Sequence, residues 1–316
     1  MSAVKRIVIA LGGNALQGAG GPATAERQLE TIKETSERLA DIIAQSHYVV
    51  LAHGNGPQVG RIVLQNEHAA GITPAMPFDV CGAMSQGAIG YHLQQGLNEV
   101  LQNHGIPKQA VTVVTQVEVA ADDPAFQTPL KPIGPFYREE EAKNISCAKG
   151  YTFKEDAGRG FRRVVASPAP KSIIEIAPVK VLLDAGFIVI TVGGGGIPVV
   201  RDAEGHLSGA AAVIDKDLAA EKLAEDIDAD ILLILTAVEK VSLDYGKATE
   251  QKLDVISAAQ AAQYLQEGHF APGSMAPKVL AAVQFALSRA GRTAIITSLD
   301  KAAVALKGDA GTRITS

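Results

Sequence analysis

The 316-residue sequence predicts an α/β fold built on a mostly parallel sheet. Short, β-branched apolar runs alternate with longer stretches of helical period, the pattern of consecutive βαβ units. Glycine-rich turns follow several of these runs, at the strand ends where open α/β sheets bind their ligands. One segment breaks the rhythm: from Asp122 to about Pro170 the chain is proline-rich and charged, with little periodicity.

The elements follow in order. Strands are expected at residues 6–11, 48–52, 111–115, 187–192, 231–235 and 293–297, each apolar almost throughout, as strands covered on both faces should be. Helices are expected at residues 25–45, 58–70, 82–103, 217–225, 257–267 and 278–290. Structureless loops longer than about 12–15 residues are uncommon inside compact domains. Residues 129–137 and 151–165 mix aromatic with apolar side chains that could pack, which favours an inserted subdomain over a disordered linker. That insert is expected to lie over the active site, with a further α/β lobe following it. No internal repeat or low-complexity tract interrupts the pattern.

Composition narrows the function. Hydrophobic residues make up 47% of the chain and charged residues 20%, values ordinary for a soluble globular protein. The net charge of −5, the 4% aromatic content and the lack of Trp argue against a nucleic-acid partner. An acidic whole can still hold a basic pocket for anions. Cys81 and Cys147 form no CxxC pair and read as free thiols. The apolar run 7–11 is too short for a signal peptide, and no run approaches the roughly 20 apolar residues of a membrane span. A cytoplasmic protein with no membrane partner is expected.

Four glycine turns carry the chemistry: Leu11-Gly12-Gly13-Asn14, His53-Gly54-Asn55-Gly56, Gly193 to Gly196, and Pro272-Gly273-Ser274-Met275. Glycine lets the backbone approach a ligand closely, so that successive N–H groups converge on an anion. A helix N-terminus beside such a turn adds partial positive charge. The ligands implied are phosphates. GxxxxGK[ST] is absent, so this is not a P-loop protein, and neither candidate turn completes GxGxxG.

Lys216 lies between Asp215 and Asp217 at an expected helix start, where the dipole disfavours a cation, and Lys278 lies in another first turn. Two such lysines near glycine turns suit a transferring phosphoryl group, which needs alignment and charge neutralisation rather than a covalent partner. No HExxH occurs, and His53 reads as a strand-end hydrogen-bonder rather than a ligand or base.

At these residues the chain resembles the amino acid kinase family, and within it the carbamate kinase branch. The resemblance runs through ALGGNAL (10–16), HGNGPQVG (53–60), DVCGAMSQGAIGY (79–91), VVTQVEVAADDPAF (113–126) and KPIGPFY (131–137). It continues through GRGFRRVVASPAP (158–170), VGGGGIPVV (192–200), VIDKDLA (213–219), LILTAVEKV (233–241), GHFAPGSMAPKV (268–279) and GTRI (311–314). It implies a three-layer αβα sandwich with a protruding lid, usually dimeric, and reversible phosphoryl transfer between carbamoyl phosphate and ADP, the nucleotide carrying Mg²⁺. Residues 1–121 and 171–210 would bind carbamoyl phosphate or carbamate, 122–170 would form the lid and 211–316 would bind ADP or ATP.

By the same resemblance Gly12, Gly13 and Asn14 would line the phosphate path. Gly54, Asn55 and Gly56 would hold the carbamoyl end, and Gly194 and Gly195 would bind substrate or phosphate. Lys216 and Lys278 would stabilise the moving phosphoryl group, with Asp217 positioning them and Lys131 reaching down from the lid. Asp215, Leu235, Thr236, Val238, Tyr245, Met275 and Pro277 would face the nucleotide. Relatives that phosphorylate N-acetylglutamate carry a lysine in the first strand where this chain has Ala10, a lack shared by the carbamate branch. The alternatives are a kinase of the same family for another small acceptor, and a catalytically silent binding protein that kept the scaffold.

Overall fold

The computed structural model describes residues 4–17, 23–45, 47–156 and 158–316. Its centre is an eight-stranded sheet in the order Val255–Ser257, Thr312–Thr315, Thr293–Ser298, Ile231–Thr236, Arg6–Leu11, Tyr48–His53, Ile188–Ile190 and Ala110–Thr112. Every neighbouring pair is parallel except Thr293–Ser298 with Thr312–Thr315.

Strand periodicity explains the layers. Ile7, Ile9 and Leu11 point to one face, with Leu51, Ile190 and Leu233. There they meet Ile32 and Leu39 of helix Ala25–Ile43 and Ile89, Leu93 and Leu97 of helix Phe78–Asn103. Val8 and Ala10 point the other way, with Val50, Val189 and Ile234, against Leu223 of helix Lys216–Asp226 and Phe285 of helix Met275–Ser288. Both faces are thus covered, which is why these strands read as unbroken apolar runs. Each fully buried Ile or Leu contributes about 1.5–3 kcal/mol. The result is the three-layer αβα sandwich.

Some expected boundaries shift for identifiable reasons. The strand expected at 187–192 ends at Ile190 because Val192 adopts φ 43°, a left-handed conformation that ends the extension. The strand expected at 111–115 ends at Thr112, and Thr115 turns its hydroxyl towards Thr191 instead. The helix expected from residue 278 opens earlier, at Met275, which leaves Lys278 in its first turn. Val255–Ser257 and Thr312–Thr315 were not expected as strands; the first is only three residues long and the second has three polar residues of four, so no apolar run marks them.

A second, four-stranded sheet (Leu207–Gly209, Ile197–Arg201, Gln116–Val119, Pro170–Ile173) leads into and out of the proline-rich segment. Within that segment, Lys131–Tyr137, Phe161–Val165 and Thr152–Glu155 form a separate antiparallel sheet with helix Glu139–Lys149. This unit rests on helix Gly56–His68. Glu67 accepts from Lys149 at 2.5 Å, the Tyr151 hydroxyl at 2.6 Å and Arg163 at 3.2 Å, while Arg163 stacks 3.5 Å above the Tyr151 ring. The two backbones meet at Gly60, where an added Cβ would lie 2.1 Å from the Cα of Gly134.

Strand Tyr48–His53 ends on a buried imidazole, 1% exposed, whose Nδ1 donates to the Gly54 carbonyl at 3.0 Å. Burial lowers the His53 pKa to about 4, with the Gly54 carbonyl opposing the shift.

Two outcomes follow. Gly60→Ala should push the insert off helix Gly56–His68 at a cost of roughly 1–3 kcal/mol, the usual penalty of overpacking against backbone. Faster proteolysis within residues 139–165, with the central sheet intact by circular dichroism, would register it. His53 stays neutral in the fold while its unfolded counterpart protonates below about pH 6.5. Its contribution is therefore full above that pH and lost as pH falls towards 4. Between pH 7 and 5 the loss is about 2 kcal/mol, and urea unfolding of His53→Gln at both pH values should show a correspondingly smaller drop than the parent chain.

Candidate active site

The central parallel strands Ile231–Thr236, Arg6–Leu11, Tyr48–His53 and Ile188–Ile190 end on one edge of the sheet, and three of the four glycine turns gather there. Close approach explains the glycines. A Cβ on Gly12 would lie 2.9 Å from the Leu235 carbonyl oxygen of the neighbouring strand end. Gly194, Gly195 and Gly196 have φ of 68°, 92° and 87°, and a Cβ on Gly195 would lie 2.2 Å from the Ile214 carbonyl oxygen. No other residue fits that backbone. The Asn14 backbone sits in the short turn Gly13–Ala15; its side chain lies outside the described residues.

Three helices open onto this edge: Gly56–His68, Lys216–Asp226 and Met275–Ser288. Lys216 and Asp217 begin the second of them, capped by Asp215, whose side chain accepts the Asp217 N–H at 2.8 Å. Asp217, its side chain 2% exposed, is shared by two lysines. Lys216 donates to its Oδ1, and Lys278 to its Oδ2 at 2.9 Å. Lys131, at the start of the insert's first strand, donates to Asp215 Oδ2 at 2.5 Å. Three ammonium groups against two carboxylates leave one net positive charge.

The pKa shifts follow from this packing. Burial works to raise the Asp215 carboxyl, but Lys131, then Lys216 and the Asp217 N–H, outweigh it and hold the group at about 2. Burial lowers the Lys216 pKa; Asp217 opposes that shift and Lys278 adds to it.

The cleft consists of three adjoining cavities. One, of about 180 Å³, is lined by Gly54, Asn55, Gly56, Gln58, Lys131, Gly194, Asp215 and Asp217. A second, of about 500 Å³, is lined by Gly12, Leu235, Thr236, Ala237 and Ser298 to Asp300. Gly13, Lys216, Gly273, Ser274 and Lys278 line both, so the two lysines stand at the junction. Thr236, Ala237 and Ser274 connect the second cavity to a third of about 230 Å³, walled by Val238, Tyr245, Phe270, Ala271 and Met275.

The structure therefore brings together Lys131, Lys216, Asp217 and Lys278, and places Gly54, Asn55, Gly56 and Gly194 on one side of them. Gly12, Leu235, Thr236, Val238, Tyr245 and Met275 lie on the other side, and Gly13 lies between. Asp215, expected towards the nucleotide, faces the smaller cavity with Lys131. Gly195 and Pro277 line none of the three cavities: Gly195 packs under Ile214, and Pro277 sits in the helix turn between Met275 and Lys278. Ser298 to Asp300 were missed because the strand before them ends without a glycine. Gly273 and Ser274 lie in the fourth glycine turn, but no charge singled them out.

Residues 5–298 match the amino acid kinase family. The chain is 57% identical over 313 residues to the carbamate kinase-like protein YqeA of Escherichia coli, covering 98% of this chain and 99% of that one. It is 53% identical over 312 residues to the carbamate kinase of Clostridium perfringens, with the same coverage. Its fold superposes on the carbamate kinase from Giardia lamblia bound to citric acid with a TM-score of 0.94, at 45% identity and 100% and 99% coverage. The same enzyme bound to AMP-PNP gives 0.90 at 46% identity, again with 100% and 99% coverage. With the sheet, the insert and the lysine pair in place, this chain belongs to the amino acid kinase family, on its carbamate kinase branch.

Proposed function

We propose that the chain catalyses reversible phosphoryl transfer between carbamoyl phosphate and ADP, giving carbamate and ATP. One observation carries this reading: Lys216 and Lys278, joined through Asp217, stand where a small polar cavity meets a larger one that opens on an apolar recess. The small cavity suits carbamoyl phosphate. The larger one suits the nucleotide phosphates, and the recess walled by Val238, Tyr245, Phe270 and Met275 suits adenine.

In this reading a terminal oxygen of ADP attacks the phosphorus, and the bond from phosphorus to the carbamoyl oxygen breaks. Charge spreads over the equatorial oxygens, where Lys216 and Lys278 neutralise it. The helix N-termini at Gly56, Lys216 and Met275 add their dipoles. Gly12, Gly13 and the Asn14 backbone line the phosphate path, while Gly54, Asn55, Gly56 and Gly194 shape the carbamoyl end, with Gly195 supporting that turn. Asp217 keeps the two lysines together, and Asp215 anchors Lys131. Leu235, Thr236, Val238, Tyr245 and Met275 flank the nucleotide, and Pro277 fixes the turn that presents Lys278.

Mg²⁺ would accompany the nucleotide, where it would neutralise phosphate charge. Among the described residues no cluster of three or more His, Cys, Asp or Glu side chains is built to hold a metal. The carboxylates at the junction are already engaged by lysines. We assign 1–121 with 171–210 to the carbamoyl side, 122–170 to a lid and 211–316 to the nucleotide side. The chain is placed in the cytoplasm, with its nucleotide substrate, and as a homodimer. Met84 and Tyr91, two helical turns apart, and Val114 beside the sheet's edge strand supply exposed apolar surface for a second copy.

The direct test is ATP formation from carbamoyl phosphate and ADP with and without Mg²⁺. Magnesium-dependent ATP is expected, and none from folded protein would sink the reading. Lys216→Ala and Lys278→Ala should each lower kcat by about 10²-fold or more, the usual loss when a charge stabilising the transition state is removed. Lys131→Ala should slow turnover and leave ADP affinity nearly intact; weakened ADP binding alone would refute its role as a lid residue.

A further inference from the structure

We propose that Ser85 and Gln86, neighbours on helix Phe78–Asn103, are positioning residues that hold the two glycine turns of the carbamoyl phosphate pocket in register. The inference rests on the function proposed above. It assigns work to the stretch DVCGAMSQGAIGY, none of whose side chains lines the reacting cavities.

Both side chains are buried, Ser85 0% and Gln86 2% exposed. A buried polar side chain costs free energy unless its hydrogen bonds are made, so what these two bond is informative. The Ser85 hydroxyl donates to the Gly82 carbonyl at 2.6 Å and accepts from Asn55 Nδ2 at 2.8 Å. That bond orients Asn55, the residue between Gly54 and Gly56. A Cβ on Gly194 would lie 2.2 Å from the same Nδ2. Ser85 thereby sets the side chain against which the second turn packs.

Gln86 grips the second turn directly. Its Nε2 donates to the Gly193 carbonyl at 2.9 Å and the Thr115 carbonyl at 3.0 Å, while its Oε1 accepts the Thr115 N–H at 2.9 Å. Two carbonyls and one N–H fix the orientation of the amide. Thr115 extends the network: its hydroxyl lies 2.6 Å from that of Thr191 and accepts the Val192 N–H at 3.3 Å. Val192 needs such bracing. It is β-branched and left-handed, at φ 43° and ψ 37°, a conformation costing about 1–3 kcal/mol that persists only where its surroundings enforce it. The strain sits at the start of the turn that presents Gly194 to the cavity. Adjacent residues of one helix thus hold the Gly54–Gly56 turn through Asn55 and the Gly193–Gly196 turn through its carbonyl and Thr115. Among the described residues, none of this helix lines the nucleotide cavities.

The test is steady-state kinetics of Gln86→Met, which keeps the volume and removes all three hydrogen bonds, and of Ser85→Ala. Each lost bond weakens one wall of the carbamoyl phosphate pocket. KM for carbamoyl phosphate should rise about tenfold, equivalent to about 1.4 kcal/mol, while KM for ADP stays within about twofold. Thermal unfolding accompanies each assay, since a purely structural role would lower Tm without dividing the two KM values. Unchanged KM for carbamoyl phosphate in a folded variant, or equal rises for both substrates, would overturn the assignment. Should Gln86→Met fail to fold, Ser85→Ala and Thr191→Val, which removes a hydroxyl from the same network, decide the matter by the same split. A parent chain that makes no ATP would instead overturn the proposed function, and this inference with it, before any variant is measured.

Discussion

A single buried carboxylate organises this molecule's charge. Asp217 lies at the head of a helix with both oxygens committed, one to Lys216 and one to Lys278. Two ammonium groups held this close repel each other, and burial lowers the Lys216 pKa. A shared counter-charge resolves both difficulties and fixes the lysines before any ligand arrives. The surrounding features serve that arrangement. Asp215 caps the same helix through the Asp217 N–H, and at Gly54 an added Cβ would lie 3.3 Å from the Lys216 side chain.

The central sheet was legible because its strands are buried on both faces, so that residues 6–11, 48–52 and 231–235 stand out as apolar runs. Most of the lysine cluster was legible for the opposite reason. Lys216 violates the charge preference of a helix start, and a local rule broken without local gain tends to mark a site. The glycine turns were visible as punctuation, although only the structure shows that Gly195 is demanded by the Ile214 carbonyl rather than by a ligand-facing position.

Other features have no local signature. Gln86 and Thr115 are joined across 29 residues, and Gln86 and Gly193 across 107, and nothing in a helix containing Ser85-Gln86 announces those partners. Ser298 to Asp300 reach the cleft only because their strand lies beside Ile231–Thr236 in the sheet order. The edge strands Val255–Ser257 and Thr312–Thr315 are defined by pairing rather than composition. Glu67 reads as one more acid on an exposed helix until the insert folds back and places Lys149, Tyr151 and Arg163 around it.

The insert's first strand begins at Lys131, so the insert carries part of the cleft's charge. With Lys131 seated, the cluster holds three cations and two anions. With the insert lifted away, two of each remain and the pocket becomes electrically neutral. At an effective dielectric near 20, one charge about 4 Å away is worth on the order of 4 kcal/mol. If the insert acts as the lid proposed above, opening would do more than clear an exit: it would discharge the pocket as a phosphorylated product leaves, and reseating would recharge it for the next anion.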